Sequence, residues 1–205
     1  MLLAVLLPLS AAAEVICALG SGASAYNAAS DQRPTPDAME VARRLNTAFT
    51  SICSPKCPQI AMFRNTTAAN AMLVLNGDDA KLVYAPKFFQ SIDDTYGDGA
   101  VIAVIAHEFG HALDEIYPAR FKNAGSTQEL RADAWSGCAL AKVDLSPADL
   151  GGALFALAKY PSLAHPTWAL RLPALRTGYT ECNGEGAKFD NGVDRSKRQA
   201  ALSGR

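Results

Sequence analysis

Two of the three histidines in this 205-residue chain stand four positions apart, in the sequence His107-Glu108-Phe109-Gly110-His111. Residues four apart lie on one face of a helix, about 6 Å apart along its axis, so both imidazoles can bind one metal ion. Glu108 is the next residue along the helix after His107, and its carboxylate can reach a water bound at the open coordination position of the metal. Zinc lowers the pKa of such a water toward ~7, and a carboxylate can take its proton as the water attacks a carbonyl. The pattern therefore predicts a zinc-dependent hydrolase.

The segment that carries this motif predicts a long buried helix. Gly97-Asp98-Gly99 opens an apolar stretch that runs to Tyr117 and is stopped by Pro118. Because the residues on both sides of the histidines are apolar, the imidazoles need buried partners, and one metal ion serves both. A pair of solvated helix histidines is the alternative interpretation.

A third ligand has to come from elsewhere, since a catalytic zinc takes three protein ligands and keeps one open position. Glu129 stands 18 residues after His111, at the start of the next predicted helix, and Asp133 shares its face. We expect Glu129 on the metal and Asp133 behind it, accepting the free N–H of a ligand histidine, with His107 the preferred one. The alternative for Glu129 is a capping box, in which its side chain accepts a hydrogen bond from the backbone N–H of Ser126.

Three further side chains are candidates for supporting roles. A zinc hydrolase needs donors for the oxyanion that develops as water attacks, and His165 or Arg171 could serve. The alternative is that neither has a role, and the residues alone leave this open. Asp114 shares a face with the two ligand histidines but lies too far along the axis to chelate with both. We expect it behind the site or on the ordinary helix surface.

Together these motifs resemble the gluzincin metallopeptidases, in particular the branch related to the CAAX prenyl protease and its soluble periplasmic relatives. The resemblance covers about residues 60–175 and rests on three motifs: His107-Glu108-x-x-His111, Glu129-x-x-Ala132-Asp133, and His165-Pro166 with Arg171. Asn70-Ala71, which precedes a predicted strand, is similar to that family's edge-strand region. The sequence departs from the family in lacking its transmembrane helices.

The resemblance implies a role for each matched residue. The metal ligands would be His107, His111 and Glu129, and Glu108 would be the general base. Asp133 would support a histidine, and His165 and Arg171 would lie near the site. The fold implied is a zincin-like α+β domain, with a small sheet packed on the central motif helix.

Periodicity and turn residues predict the elements around that helix. Helices are expected over residues 36–52, 126–142 and 147–159, with a shorter one after Pro166 disturbed by Pro173. Strands are expected at Gln59–Phe63, Ala71–Leu75 and Lys81–Ala85, the last two joined as a hairpin. We expect one metallopeptidase domain over residues 35–182 and a disordered tail over 183–205, which is polar and aperiodic.

The N-terminus predicts export. Residues 1–13 form an apolar run too short to span a bilayer, with an A-x-A cleavage pattern ending at Ala13 and a second ending at Ala25. We interpret 1–13 as a signal peptide and 14–34 as a flexible lead-in; a buried N-terminal helix is the alternative. No later segment reaches membrane length without charges. We therefore expect a periplasmic or secreted protein with no integral membrane segment in the mature chain.

Five cysteines fit an exported protein with disulfides. The pairs expected are Cys53–Cys57 and Cys138–Cys182, and cleavage after Ala25 would remove the fifth, Cys17. A zinc knuckle at Cys53 and Cys57 is the alternative interpretation, but no second Cys or His pair accompanies these two cysteines.

Composition and motifs together select a function class. The formal net charge is −1, so the chain lacks the basic surplus of a nucleic-acid-binding protein. Hydrophobic residues make up 49%, which excludes a chain disordered throughout. We expect a zinc endopeptidase whose polypeptide substrate pairs along the sheet edge. The alternatives are an exported metal-binding chaperone or assembly factor with little proteolysis, and a hydrolase of another amide.

Overall fold

The computed structural model describes residues 14–18, 27–53, 57–76, 79–159 and 165–203 of the chain. The predicted signal peptide, residues 1–13, and the alternative cleavage pattern ending at Ala25 lie outside the described residues. The described part is a mixed α+β fold, mostly helical with one small sheet, which confirms the predicted fold class at that level.

Helices make up most of the described chain. Their bounds are α1 Pro36–Cys53, α2 Pro86–Tyr96, α3 Asp98–Ile116, α4 Gln128–Val143, α5 Pro147–Lys159, α6 Trp168–Glu181 and α7 Gly186–Ser203. The predicted helices over 36–52, 126–142 and 147–159 correspond to α1, α4 and α5. The helix after Pro166 is longer than expected, because α6 continues through Pro173.

The sheet has strands β1 Glu14–Ala18, β2 Ala61–Arg64, β3 Ala71–Asn76 and β4 Asp79–Tyr84, in the order β1-β3-β4-β2. The predicted hairpin is present as the antiparallel pair β3–β4, whereas β2 joins β4 in parallel. On its other side β3 pairs with β1.

One expectation about the N-terminal region and one about the sheet edge are wrong. The lead-in over 14–34 is not flexible throughout, because Glu14–Ala18 forms an edge strand and Gln32 makes a β-bridge with Arg64. Asn70-Ala71 does not begin an edge strand, because β3 lies between β1 and β4. Both corrections involve strand β1, a short β-prone segment that pairs with the main-chain groups that β3 would otherwise expose.

Helix α3 runs through the centre of the fold. Every residue from Gly99 to Asp114 is buried, as expected for a helix that is apolar on nearly all sides. It contacts α2, α4 and α5 as well as strands β1, β3 and β4. The motif histidines are thus held on a helix fixed from several directions.

The region after residue 182 differs from the predicted disordered tail, because Gly186–Ser203 forms helix α7. The buried residues Phe189, Val193 and Ser196 recur at helical spacing and form one face. That face packs on α5, with Gly192 lying against Leu150. Burial of a few apolar side chains is sufficient to order a polar segment. The sequence did not predict this helix because its polar residues outnumber the apolar residues of the buried face.

Both expected cysteine pairs are bridged. The Cα atoms of Cys53 and Cys57 lie 5.2 Å apart, and those of Cys138 and Cys182 lie 5.1 Å apart. The second disulfide joins α4 to the end of α6.

Within the described residues, none of the helices combines the length and apolarity that crossing a bilayer requires.

Candidate metal centre

Side chains from α3 and α4 converge on one point. His107 and His111 extend from α3 and Glu129 from α4, and one ligand atom from each lies within 4.8 Å of the other two. The carboxylate of Glu129 lies between the imidazoles, with Oε2 at 3.3 Å from Nε2 of His107 and Oε1 at 3.7 Å from Nε2 of His111. This group could hold a metal ion.

The start of α4 fixes where Glu129 lies. Thr127 is the N-cap, and its hydroxyl accepts the N–H of Leu130 at 3.3 Å. The capping-box alternative is therefore wrong, because Thr127 and not Ser126 caps the helix. Glu129, in the first helical turn, directs its carboxylate to the histidines.

An ion pair beside Glu129 joins α4 to α3. Arg131 donates from Nε to both carboxylate oxygens of Asp114 at 2.8 Å, and its Nη1 donates to the carbonyl of Ser126 at 3.2 Å. Asp114 is only 3% exposed and lies three residues after His111. The pair thus ties the first turn of α4 to the end of α3 that carries the second histidine.

Asp133 lies behind His107, at the position that helix periodicity predicted. Its Oδ1 is 2.9 Å from Nδ1 of His107, the ring nitrogen that faces away from Glu129. Arg171 donates from Nε to Oδ2 at 2.9 Å and from Nη2 to Oδ1 at 2.7 Å. The remaining guanidinium nitrogen, Nη1, donates to the carbonyl of Leu157 at 2.8 Å. Asp133 is fully buried, so its charge is balanced by Arg171 and not by water.

His165 belongs to the same cluster. Its Nε2 lies 3.1 Å from Oε2 of Glu129 and 3.3 Å from Nε2 of His107, and its side chain is fully buried. The sequence left the role of His165 open; the structure places its ring among the candidate ligands, immediately before α6.

Burial sets the protonation of two of these histidines. It lowers the pKa of His111 to about 3 and that of His165 to about 4, with the charge on His107 acting in the same direction. Both rings are therefore neutral near pH 7, and a neutral imidazole is the form whose lone pair binds a metal. Burial opposes the charged form of His107 as well, but hydrogen bonds with Asp133 and Glu129 outweigh it and raise its pKa to about 9.

The two carboxyl groups are held in the charged form. Burial tends to raise the pKa of Asp133, but the adjacent Arg171 guanidinium brings it below its usual range. Burial also tends to raise the pKa of Glu129. Its hydrogen bond with His107 is the largest of the effects that bring this pKa below its usual range. The site thus combines anionic oxygen with imidazole nitrogen.

The donor set fits a divalent transition metal. In the described part of the chain, Nε2 of His111 is buried and has no hydrogen-bond partner, which is costly unless the nitrogen binds something. Two imidazoles and one carboxylate form an established zinc ligand set. Glu108, the intervening residue, is completely buried on the same helix.

A close approach of α3 and α4 sets the distance between the two halves of the site. Gly110, inside the motif, lies so near α4 that a Cβ added there would come within 2.8 Å of the carbonyl oxygen of Ala132 and 3.0 Å of Cβ of Trp135. These residues flank Asp133. Only glycine therefore allows the helices this spacing.

Sequence reasoning missed two positioning contacts. The local pattern did not show that Arg131 would pair with Asp114, although the charges are complementary. It also did not show that the guanidinium of Arg171 would donate two hydrogen bonds to Asp133; the signal available was that Asp133 is the one charged residue over residues 132–141, which are otherwise mostly small and apolar. Comparison of the chain with protein-family models, curated proteins and solved structures finds no match. The metal centre therefore rests on the residues and their geometry.

Proposed function

We propose that this protein is a zinc-dependent endopeptidase of the gluzincin kind. The observation that carries the proposal is the convergence of His107, His111 and Glu129, because it unites a local motif with a carboxylate from a separate helix. An ordinary buried core has no need of three ionisable side chains at one point, since each costs desolvation free energy. A pure binding module would not require Glu108.

Zinc, when bound, acts as a Lewis acid and makes a water available as a nucleophile near neutral pH. Glu108 takes the proton from the attacking water and later delivers it to the leaving amine. Its complete burial excludes bulk solvent from the carboxylate and favours transfer to the reacting groups over loss to bulk water.

The remaining residues hold the ligands. Asp133 accepts the Nδ1 proton of His107, which fixes the tautomer and directs Nε2 to the metal. Arg171 acts as a positioning residue, because three of its nitrogens donate to Asp133 and to the carbonyl of Leu157. His165 remains the candidate for contact with the developing oxyanion, since its Nε2 already lies beside the ligand atoms.

We further propose that the protein is exported. The two disulfides favour an oxidising compartment, because cytosolic thiols are usually kept reduced. The apolar run over 1–13 supports the same assignment.

The decisive experiment replaces the proposed base and leaves the ligands intact. Glu108→Gln should abolish digestion of casein while the protein still binds one zinc ion per chain. Glu115→Gln is the matched control: it removes an exposed carboxylate from the same helix and should retain full activity. Chelation of the metal should abolish activity in the wild-type protein and zinc should restore it.

Full activity in Glu108→Gln would overturn the mechanism. A wild-type protein that binds zinc and denatured polypeptides without cleaving them would instead favour the chaperone alternative. Cleavage of a non-peptide amide alone would favour the third class.

A further inference from the structure

Helix α6 supplies the cation that holds Asp133. Near the start of this helix, Arg171 donates to both carboxylate oxygens of Asp133, and that carboxylate lies 2.9 Å from Nδ1 of His107. Arg171 and Asp133 are both buried, so water cannot replace either partner, and separating a buried pair of this kind is costly. The position of α6 therefore determines how firmly the carboxylate behind a candidate ligand is held.

One face of α6 contacts α4 at four points. These points pair Arg171 with Asp133, Leu175 with Gly137, Gly178 with Ala134 and Cys182 with Cys138. The spacing of four, three and four residues along α6 places all its contacts on one helix face. The ion pair and the disulfide are thus the two ends of one interface, about 16 Å apart along α6.

The middle of this interface is made by glycines. A Cβ added at Gly137 would meet the carbonyl oxygen of Leu175, and one added at Gly178 would meet that of Ala134. The two helix backbones are therefore in direct contact. Glycine has no side chain to bury, so these contacts remove little apolar surface from water and depend on attachment elsewhere along the interface.

The disulfide provides that attachment. It joins Cys138, inside α4, to Cys182, the C-cap of α6, across 44 residues of sequence. The Cys53–Cys57 bond differs in this respect. It joins the last residue of α1 to a residue four positions further on, so it attaches no second helix.

We propose that the Cys138–Cys182 disulfide is a positioning element of the candidate metal centre, which binds zinc with full affinity only in the oxidised chain. The bond keeps α6 against α4, and with it Arg171 on Asp133. This inference rests on the metal site of the proposed function and not on peptide cleavage.

Oxidation of the chain is then a precondition for tight zinc binding. As the S–S bond forms, the two thiols lose two electrons and two protons, and a disulfide of an oxidant in the same compartment is reduced to two thiols. Cytosolic thiols are usually kept reduced, whereas exported proteins meet such oxidants. The protein would therefore acquire its metal after export.

The test compares two proteins that each lack one disulfide. Cys138→Ala with Cys182→Ala removes the bond between α4 and α6, and Cys53→Ala with Cys57→Ala is the matched control. Alanine is used because a free thiol can itself bind zinc. Chelator competition measures zinc affinity at a temperature where circular dichroism shows each metal-free protein folded.

We expect zinc binding to weaken about 10–100-fold without the Cys138–Cys182 bond, as for loss of an outer-shell partner, and to stay at the wild-type value in the control. Wild-type affinity without the Cys138–Cys182 bond, or an equal loss in the control, would overturn the proposal.

A double-mutant cycle separates positioning from general stability. Arg171→Met in the bridged chain should weaken zinc binding by a similar factor, and removing the Cys138–Cys182 bond from that variant should then cause no further loss. Two independent effects would add instead, and additive losses would overturn the proposal. If the chain without the bond does not fold, Arg171→Met alone decides, because wild-type zinc affinity in that variant would overturn the proposal.

The readout separates this proposal from the proposed function. A wild-type protein that binds zinc and cleaves no polypeptide, with weaker zinc binding after loss of the Cys138–Cys182 bond, would support the positioning role and remove the peptidase. Polypeptide cleavage by the wild type, with equal zinc affinities with and without the bond, would do the reverse.

Discussion

Gly110, inside the motif of the candidate metal centre, provides the most direct test of how the site is held. In Gly110→Ala the new methyl would lie 2.8 Å from the carbonyl oxygen of Ala132, a backbone atom that cannot rotate away. Ordinary contact begins near 3.4 Å, so α3 and α4 must separate by about 0.6 Å, a shift of the kind that overpacking forces on a tight contact.

That separation acts directly on the candidate ligands. His107 is on α3, whereas Glu129 and Asp133 are on α4, on either side of Ala132. The 2.9 Å contact between His107 and Asp133 would lengthen to about 3.5 Å, the limit for a hydrogen bond. Metal–ligand distances tolerate only about 0.2 Å. We therefore expect zinc affinity to fall roughly 10–100-fold, as for loss of an outer-shell partner.

Gly151→Ala is the matched control. Its new methyl would lie 3.0 Å from Cβ of Arg195, between α5 and α7, away from the ligands. Both substitutions replace a helix-interior glycine and gain about 1 kcal/mol of helix propensity. Competition with a chromophoric chelator gives the zinc affinity, and thermal unfolding of the metal-free proteins gives their stability. Wild-type zinc affinity in Gly110→Ala, or an equal loss in Gly151→Ala, would refute the reasoning.

Three further substitutions address other parts of the site. Asp133→Ala should weaken zinc binding by roughly 10–100-fold, because it removes the partner of His107, a candidate ligand; an unchanged dissociation constant would contradict this. His165→Ala should lower turnover by about 10²–10³-fold with zinc content unchanged, if it donates to the oxyanion; loss of metal would make it a ligand, and unaltered turnover would leave it without a role. Arg131→Met should weaken zinc binding roughly 10-fold, since Asp114 would lose its partner and the turn bearing Glu129 its anchor. Chelator competition measures the effect, and wild-type affinity would argue against it. Mass mapping of unreduced peptides checks the two disulfides.

The local part of the site could be predicted because its geometry follows from helix periodicity. Four-residue spacing places His107 over His111 and Asp133 behind Glu129 whatever the surroundings. The same reasoning gave the contact of Asp133 with His107 that the structure shows. Spacing within one helix requires no knowledge of the tertiary fold.

The non-local part could not be predicted in the same way. The pairing of Arg171 with Asp133 spans 38 residues and two helices, and no period in the sequence connects them. Strand β1 was missed because a five-residue segment next to an apolar run has no distinctive alternation. The last helix was missed because Phe189 and Val193 are its few buried apolar residues among many charged and small ones.

The long-range contacts of His107 have a consequence for how the candidate metal centre forms during folding. Its partners Asp133 and His165 follow it by 26 and 58 residues, so a nascent or translocating chain presents only the pair on α3 until α4 and α6 have emerged. Zinc should therefore bind the completed fold far better than any early intermediate. Its binding then shifts the unfolding equilibrium by mass action, and the melting temperature should rise with free zinc concentration. Zinc would in this way stabilise fully folded molecules over incompletely folded ones.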